Sequence, residues 1–234
     1  MKKTVILFLI FFFFVSCNSE RTAVSVYKSQ DKLAALGYEF NSDEFLKAIK
    51  EKKADIVKLF IDAGMNPNTT FVLGNHTVPA VFFALETEDE LMFQVFLHSK
   101  ADLNASVDGL DLIAKAASKS SPEIISLIIK SGADINRKGY NGLTPLMVAI
   151  ENGNNGAAWL FIQSGADLNV GDVYGITALM RALEKGNIDI VREMIKKGAD
   201  VNAKTKHGTL TSKFIGEKES NALRVLMQDA GAQF

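Results

Sequence analysis

The side chains of this chain that could do chemistry are three histidines, one cysteine and a scatter of carboxylates. His76, His98 and His207 stand far apart, and no two have the helical spacing at which histidines share a zinc ion. The acidic run Glu88-Asp89-Glu90 reads as a helix start, where the macrodipole favours negative charge, rather than as an acid-base pair. No local pattern sets a serine beside a histidine as an activated nucleophile. The glycines form no phosphate-cradling loop, because they recur at a fixed interval along the chain. These residues point away from an enzyme, and away from a metal or cofactor site.

Cys17 needs separate treatment, because its chemistry depends on what precedes it. The chain opens MKKTVILFLIFFFFVSC, in which Lys2 and Lys3 form a positive start and Val5 to Val15 an apolar run of 11 residues. A membrane-spanning helix needs roughly 20 apolar residues, so this run fits a secretory signal peptide over residues 1–16 better than a span. The only cysteine follows directly, behind the small Ser16. This junction resembles a bacterial lipobox, although Phe14 stands where leucine is usual. The resemblance implies that the Cys17 thiol takes a diacylglyceryl group and becomes the new N-terminus. It also implies an exported, membrane-anchored lipoprotein on the periplasmic or outer-membrane side. Several acyl chains hold a protein at a bilayer far more firmly than one does. An ordinary signal peptide whose removal leaves a stray cysteine is the alternative. A single cysteine excludes an internal disulfide.

With 26 basic against 27 acidic residues the formal net charge is -1, which provides no basic field to recruit nucleic acid. A hydrophobic share of 47% over 234 residues suits one extended domain with a continuous core. Residues 17–30 are polar and without strong periodicity, which predicts a tether behind the lipidated cysteine. Asp31 then opens a short N-terminal capping helix over residues 31–38, closed by Gly37.

From about residue 39 the chain repeats one plan. The clearest unit, GLTPLMVAIENGNNGAAWLFIQSGADLN (Gly142 to Asn169), reads as a tight turn and a short helix opened by Thr144-Pro145. A glycine break, a longer apolar helix and a stop at Gly165 complete it. The stops at Gly132, Gly165, Gly198 and Gly231 keep an interval of 33 residues, as do the turn glycines Gly109, Gly142, Gly175 and Gly208. Six units result, at about 39–73, 74–106, 107–139, 140–172, 173–205 and 206–234. The second has Lys100 where the others stop on glycine, and a longer loop, Thr69 to His76, expected to project without disturbing the stack. In the sixth, TSKFIGEKES replaces the first-helix pattern, as suits a terminal unit that no neighbour covers. Pairs four apart, such as Ile56/Phe60, Ile124/Ile128 and Ile190/Met194, give each second helix one apolar stripe. Ala48, Ala84, Ala116, Ala149 and Ala182 recur where helices must approach closely.

GLTPLMVAI, GITALMRAL, GADLN and GADVN resemble the ankyrin repeat family, specifically in the last four units and more loosely in the first two. The resemblance implies an all-α fold: an ankyrin-repeat solenoid of about six stacked helix-turn-helix repeats joined by β-turn or hairpin loops. Met147 and Met180 stand where the family has histidine, and the turn aspartate is kept at Asp172 but is Gly139 and Thr205 in the units beside it. Those departures weaken local turn and interhelical hydrogen bonding.

The resemblance also implies a use: a non-catalytic, monomeric protein-protein interaction module without a cofactor. Its protein partner would lie on the concave face, along the turn tips and the exposed ends of the first helices. Carried over position by position, the tips are Asp108 and Leu110; Tyr140, Asn141 and Leu143; Val173, Tyr174 and Ile176; and Lys206, His207 and Thr209. Ser118, Lys119, Glu151, Asn152, Glu184 and Lys185 add the helix ends. Tyr140 and Tyr174 stand out, because aromatic residues supply much of the energy of interface hot spots. Trp159, whose counterparts Lys58, Ser126 and Arg192 are polar, is expected as a partly buried filler beside Ala157 and Ala158. Joined to the lipid anchor, the expected whole is an interaction module tethered to a bacterial cell envelope. The alternative is an inhibitor or immunity protein that blocks a toxin or enzyme there.

Overall fold

The computed structural model describes residues 17–216 and 220–234, so the expected signal peptide lies outside the described residues. A first helix, α1 (Cys17–Ala35), precedes the repeats. The first repeat holds α2 (Ser42–Lys50) and α3 (Ala54–Asp62). The second opens with a hairpin, β1 (Thr70–Leu73) and β2 (His76–Pro79), then α4 (Ala80–Glu86) and α5 (Glu90–His98). The third has a shorter hairpin, β3 (Ser106–Val107) and β4 (Leu110–Asp111), then α6 (Leu112–Lys119) and α7 (Pro122–Lys130). The fourth holds α8 (Pro145–Glu151) and α9 (Asn155–Gln163), and the fifth α10 (Ala178–Glu184) and α11 (Ile188–Lys196). In the sixth a 3-10 turn (Thr211–Phe214) stands in place of the first helix, before α12 (Ser220–Asp229).

The helices begin where their caps are. Asn41, Asp89, Ser121, Thr144, Asn154, Thr177 and Asn187 each accept a hydrogen bond from a first-turn amide three residues on. Pro122 and Pro145 occupy first-turn positions, where a missing N–H leaves nothing unsatisfied. At Met180, which replaces the family histidine, the sulfur accepts the Thr177 amide at 3.5 Å, so part of the lost capping is recovered. Gly165 takes a left-handed conformation (φ 82) to stop α9, and Lys100 is held in the same region (φ 59) to stop α5.

One correction concerns the front of the chain. The expected tether (17–30) and separate capping helix (31–38) instead share one helix, α1. Val26, Ser29, Gln30 and Leu33 form a one-sided stripe at helical spacing that turns toward α3, and Leu33 is fully buried. Gln30 also donates to the carbonyl of Ala63 at 3.1 Å, satisfying the end of α3. Polar residues in the stripe hid its period. The long loop Thr69 to His76, expected to project from the stack, is the first strand and turn of a hairpin in which Phe71 faces Val78 and Leu73 faces His76. In the third repeat Asp108 (φ 52) and Gly109 (φ 77) form the two-residue turn that suits the twist of paired strands.

The helices make two layers. α3, α5, α7, α9, α11 and α12 stack in the outer layer, each on the next. In the inner layer α2 meets α4, α6 meets α8, α8 meets α10, and α10 meets the 3-10 turn. The core runs unbroken through both, with Phe45, Phe60, Phe93, Phe96 and Phe161 fully buried. Each such side chain contributes on the order of 1.5–3 kcal/mol by leaving water. Backbone and side-chain amides join the repeats along one edge. Asn68, Asn136, Asn169 and Asn202 accept the amides of Asp102, Asp167, Asp200 and Gln233, one repeat further on, at 2.7–2.8 Å.

Close approach at the turns sets a testable order of stability. A Cβ on Gly165 would meet open space, so Gly165→Ala carries only the left-handed backbone penalty of about 1 kcal/mol. A Cβ on Gly175 (φ 78) would lie 2.9 Å from the amide nitrogen of Lys206. Gly175→Ala is therefore expected to lose about 2 kcal/mol more than Gly165→Ala, because the clash is with backbone that must shift. Urea midpoints of the two variants measure the difference; equal midpoints would show that the turns are not in tight contact.

Candidate functional site

The turn tips of the last four repeats form one connected row. The amide of Tyr140 donates to the carbonyl of Gly109 at 3.1 Å, that of Val173 to Asn141 at 3.1 Å, and that of Lys206 to Tyr174 at 2.9 Å. Within each turn the first amide closes onto a carbonyl four residues on: Gly139 onto Leu143, Asp172 onto Ile176, Thr205 onto Thr209. The backbone of the row is thus fixed, while its outermost side chains are free. Tyr140 is 69% exposed, Tyr174 57% and Val173 44%. Asn141, Lys206 and His207 are exposed beside them, as are Asn152, Glu184 and Lys185 at the helix ends. Leu143 and Ile176 are only half-exposed and pack partly into the stack. Trp159, expected as a filler, is 46% exposed on the outer layer, between fully buried Ala157 and Ala158 and the solvent.

Glu151 has a different place from the other expected site residues. It forms an ion pair with Arg181 of the next repeat, whose guanidinium also binds Asp172. Asp172 is buried, and its other oxygen accepts the amides of Tyr174 at 2.8 Å and Ile176 at 3.0 Å. One carboxylate therefore shapes the Tyr174 turn, and one arginine neutralises it and ties it to α8. Burial pushes the Arg181 guanidinium below its usual pKa, against the attraction of Glu184, yet arginine keeps its charge in proteins. The signal was present in the sequence as a charged residue where α8 has Val148, nine positions after a turn aspartate. Arg181→Ala would leave Asp172 buried without its counter-charge. A loss of about 2–4 kcal/mol is expected, and a melting temperature roughly 5–15 °C lower by thermal denaturation. A change within about 0.5 kcal/mol would show that the pair is not needed to hold the turn.

A second concave feature was not expected from the sequence. Between the two hairpins and helices α4 and α6 lies a groove of about 460 Å³, with Leu73, Val78, Phe82, Phe83, Val107 and Leu110 along its walls. Phe83 is edged by the ring of Phe71 at 5.6 Å and capped by the ammonium of Lys50 at 5.5 Å. Glu86 at the rim pairs with Lys115 at 2.9 Å and with Lys119. Burial alone would raise its pKa, but those hydrogen bonds outweigh burial and hold it below the usual carboxylate value. The histidines lie apart, as their spacing implied. His76 pairs with Asp108 at 2.5 Å, His98 is hydrogen-bonded to the carbonyl of Gln94 at 2.8 Å, and His207 sits on the turn row. Cys17 lies in α1, and among the described residues no helix is long and apolar enough to cross a membrane.

Comparison with known proteins agrees with this architecture. Residues 113–205 match the family model of ankyrin repeats, in three copies. An ankyrin repeat protein of fowlpox virus (strain NVSL) is 32% identical over 94 residues, 40% of this chain and 13% of that protein. An ankyrin repeat-containing protein of Treponema pallidum (strain Nichols) is 28% identical over 116 residues, 49% of this chain and 38% of that protein. The chain thus spans well under half the length of either relative. Among solved structures, the ankyrin repeat domain of Bcl-3, a member of the IkappaB family, superposes with a TM-score of 0.72 at 25% identity. That match covers 88% of this chain and 94% of the other. The chain carries ankyrin repeats and has the ankyrin-repeat fold, a fold that typically serves as a non-catalytic module and generally mediates protein-protein interaction.

Proposed function

We propose that this ankyrin-repeat chain is a non-catalytic protein-binding module tethered to a bacterial cell envelope through a lipidated Cys17, with its partner held on the concave face. The observation that carries the binding reading is the turn row. Tyr140 and Tyr174 stand 69% and 57% exposed on backbone already fixed to the neighbouring turns. A partner meeting such a row orders little on binding, so less of its contact energy is lost to entropy. The tethering reading is supported by the sequence, where Cys17 follows an apolar run of 11 residues.

A crosslinked pull-down from envelopes tests the binding reading, with the full-length chain beside its Tyr140→Ala/Tyr174→Ala variant. A protein retained by the first and lost by the second, at an unchanged melting temperature, is the expected result, since exposed substitutions shift stability by only about 0.5 kcal/mol. Identical profiles would rule the tyrosine row out as the site. Cys17→Ser tests the tether. It is expected to move the chain from the membrane to the soluble fraction, and a variant that stays with the membrane contradicts lipidation at this residue.

A further inference from the structure

The inner layer of helices opens at one place, between α4 and α6, which approach each other less than the other neighbouring inner helices do. The residues give the reason. Phe82-Phe83 in α4 stands where α6 has Ala114-Lys115 and α8 has Met147-Val148, so a bulky wall faces a slight one. The β1–β2 hairpin leans over the gap with Leu73 and Val78, and the β3–β4 hairpin with Val107 and Leu110. At its lip Leu73 is 46% exposed. The space of about 460 Å³ could take more than one side chain.

Charge at the rim decides what fits. Glu86 is already paired with Lys115 and Lys119, and Asp108 with His76. Glu86 and Lys115, which line the groove, are therefore paired with each other, and the Asp108 carboxylate is in contact with the His76 ring. A charged occupant would compete with these contacts, whereas an apolar one displaces only water from apolar walls.

We propose that this groove takes a short, uncharged apolar segment of a protein partner, anchored by a leucine, methionine or phenylalanine inserted between α4 and α6. The proposal rests on the concave-face reading above and deepens it, adding an anchor in the second and third repeats to the tyrosine row of the fourth and fifth. The third-repeat turn joins the two. Asp108 and Leu110 line the groove, and the carbonyl of Gly109 between them accepts the amide of Tyr140.

Selection of short random peptides, displayed on phage, against the full-length chain tests this. Recovered peptides are then measured for binding to three variants. Leu73→Glu sets a charge at the exposed lip, Val78→Thr swaps a methyl for a hydroxyl inside, and Leu91→Glu sets the same charge on the outer helix α5, where Leu91 is 68% exposed. Peptides enriched in leucine, methionine or phenylalanine are expected. Their binding should weaken about tenfold or more with Leu73→Glu, a few-fold with Val78→Thr, and not with Leu91→Glu. Peptides anchored by charged residues, or no enrichment at all, would overturn the proposal. Peptides lost to Tyr140→Ala/Tyr174→Ala but indifferent to Leu73→Glu would overturn the groove and leave the concave-face reading standing. Peptides indifferent to both would overturn the two together. A self-association seen by sedimentation and abolished by Leu73→Glu would assign the groove to a second copy of the chain, which also overturns the proposal.

Discussion

A pair of short helices with one apolar stripe cannot bury that stripe alone, and the need for a neighbour governs the rest of this molecule. Stacking supplies the neighbour, but helices packed only by apolar contact could slide. Two rows of hydrogen bonds fix the register. On one edge the asparagines of the helix stops accept amides from the next repeat, as Asn169 does from Asp200 at 2.8 Å. On the other the turn tips bind backbone to backbone, as Lys206 does to Tyr174 at 2.9 Å. Each such bond is worth only about 1 kcal/mol net, so the rows act chiefly by geometry and by repetition. The surface they hold in place is the one on which Tyr140 and Tyr174 stand.

Features beyond the shared plan arise where the repeat rule is broken. Arg181 replaces an apolar residue and becomes the counter-charge that lets Asp172 stay buried beneath the Tyr174 turn. Phe82 and Phe83 enlarge one wall of the inner layer and open the groove toward α6. The longer hairpin before α4 roofs that opening with Leu73 and Val78. In the sixth repeat a 3-10 turn replaces the first helix, and α12 closes the outer layer with Leu223 and Met227 fully buried. Regular positions build the scaffold, and irregular ones give it individual character.

What was legible in the sequence follows the same division. Helix starts at Thr144 and Thr177, stops such as Gly165, and the 33-residue interval rest on local backbone chemistry, and each is read directly from residue type. The exposure of Tyr140 and Tyr174 also followed from their place at turn tips. Contacts between repeats were less legible. The stripe on α1 contains Ser29 and Gln30, whose role appears only when the carbonyl of Ala63 is beside them. Glu151 reads as a free helix end until Arg181 is set across from it. The groove depends on how far two helices stand apart, and no single residue type encodes that distance.

The central claim is that the turn row is rigid because its amides are bonded across repeats. Amide hydrogen exchange on the full-length chain tests it most directly, at Tyr140, Val173 and Lys206. These exposed-turn amides are expected to exchange on the slow timescale of the helices beneath them, because opening one requires parting two repeats. Exchange at the rate of free loops would contradict the account and leave the tyrosines on a mobile edge.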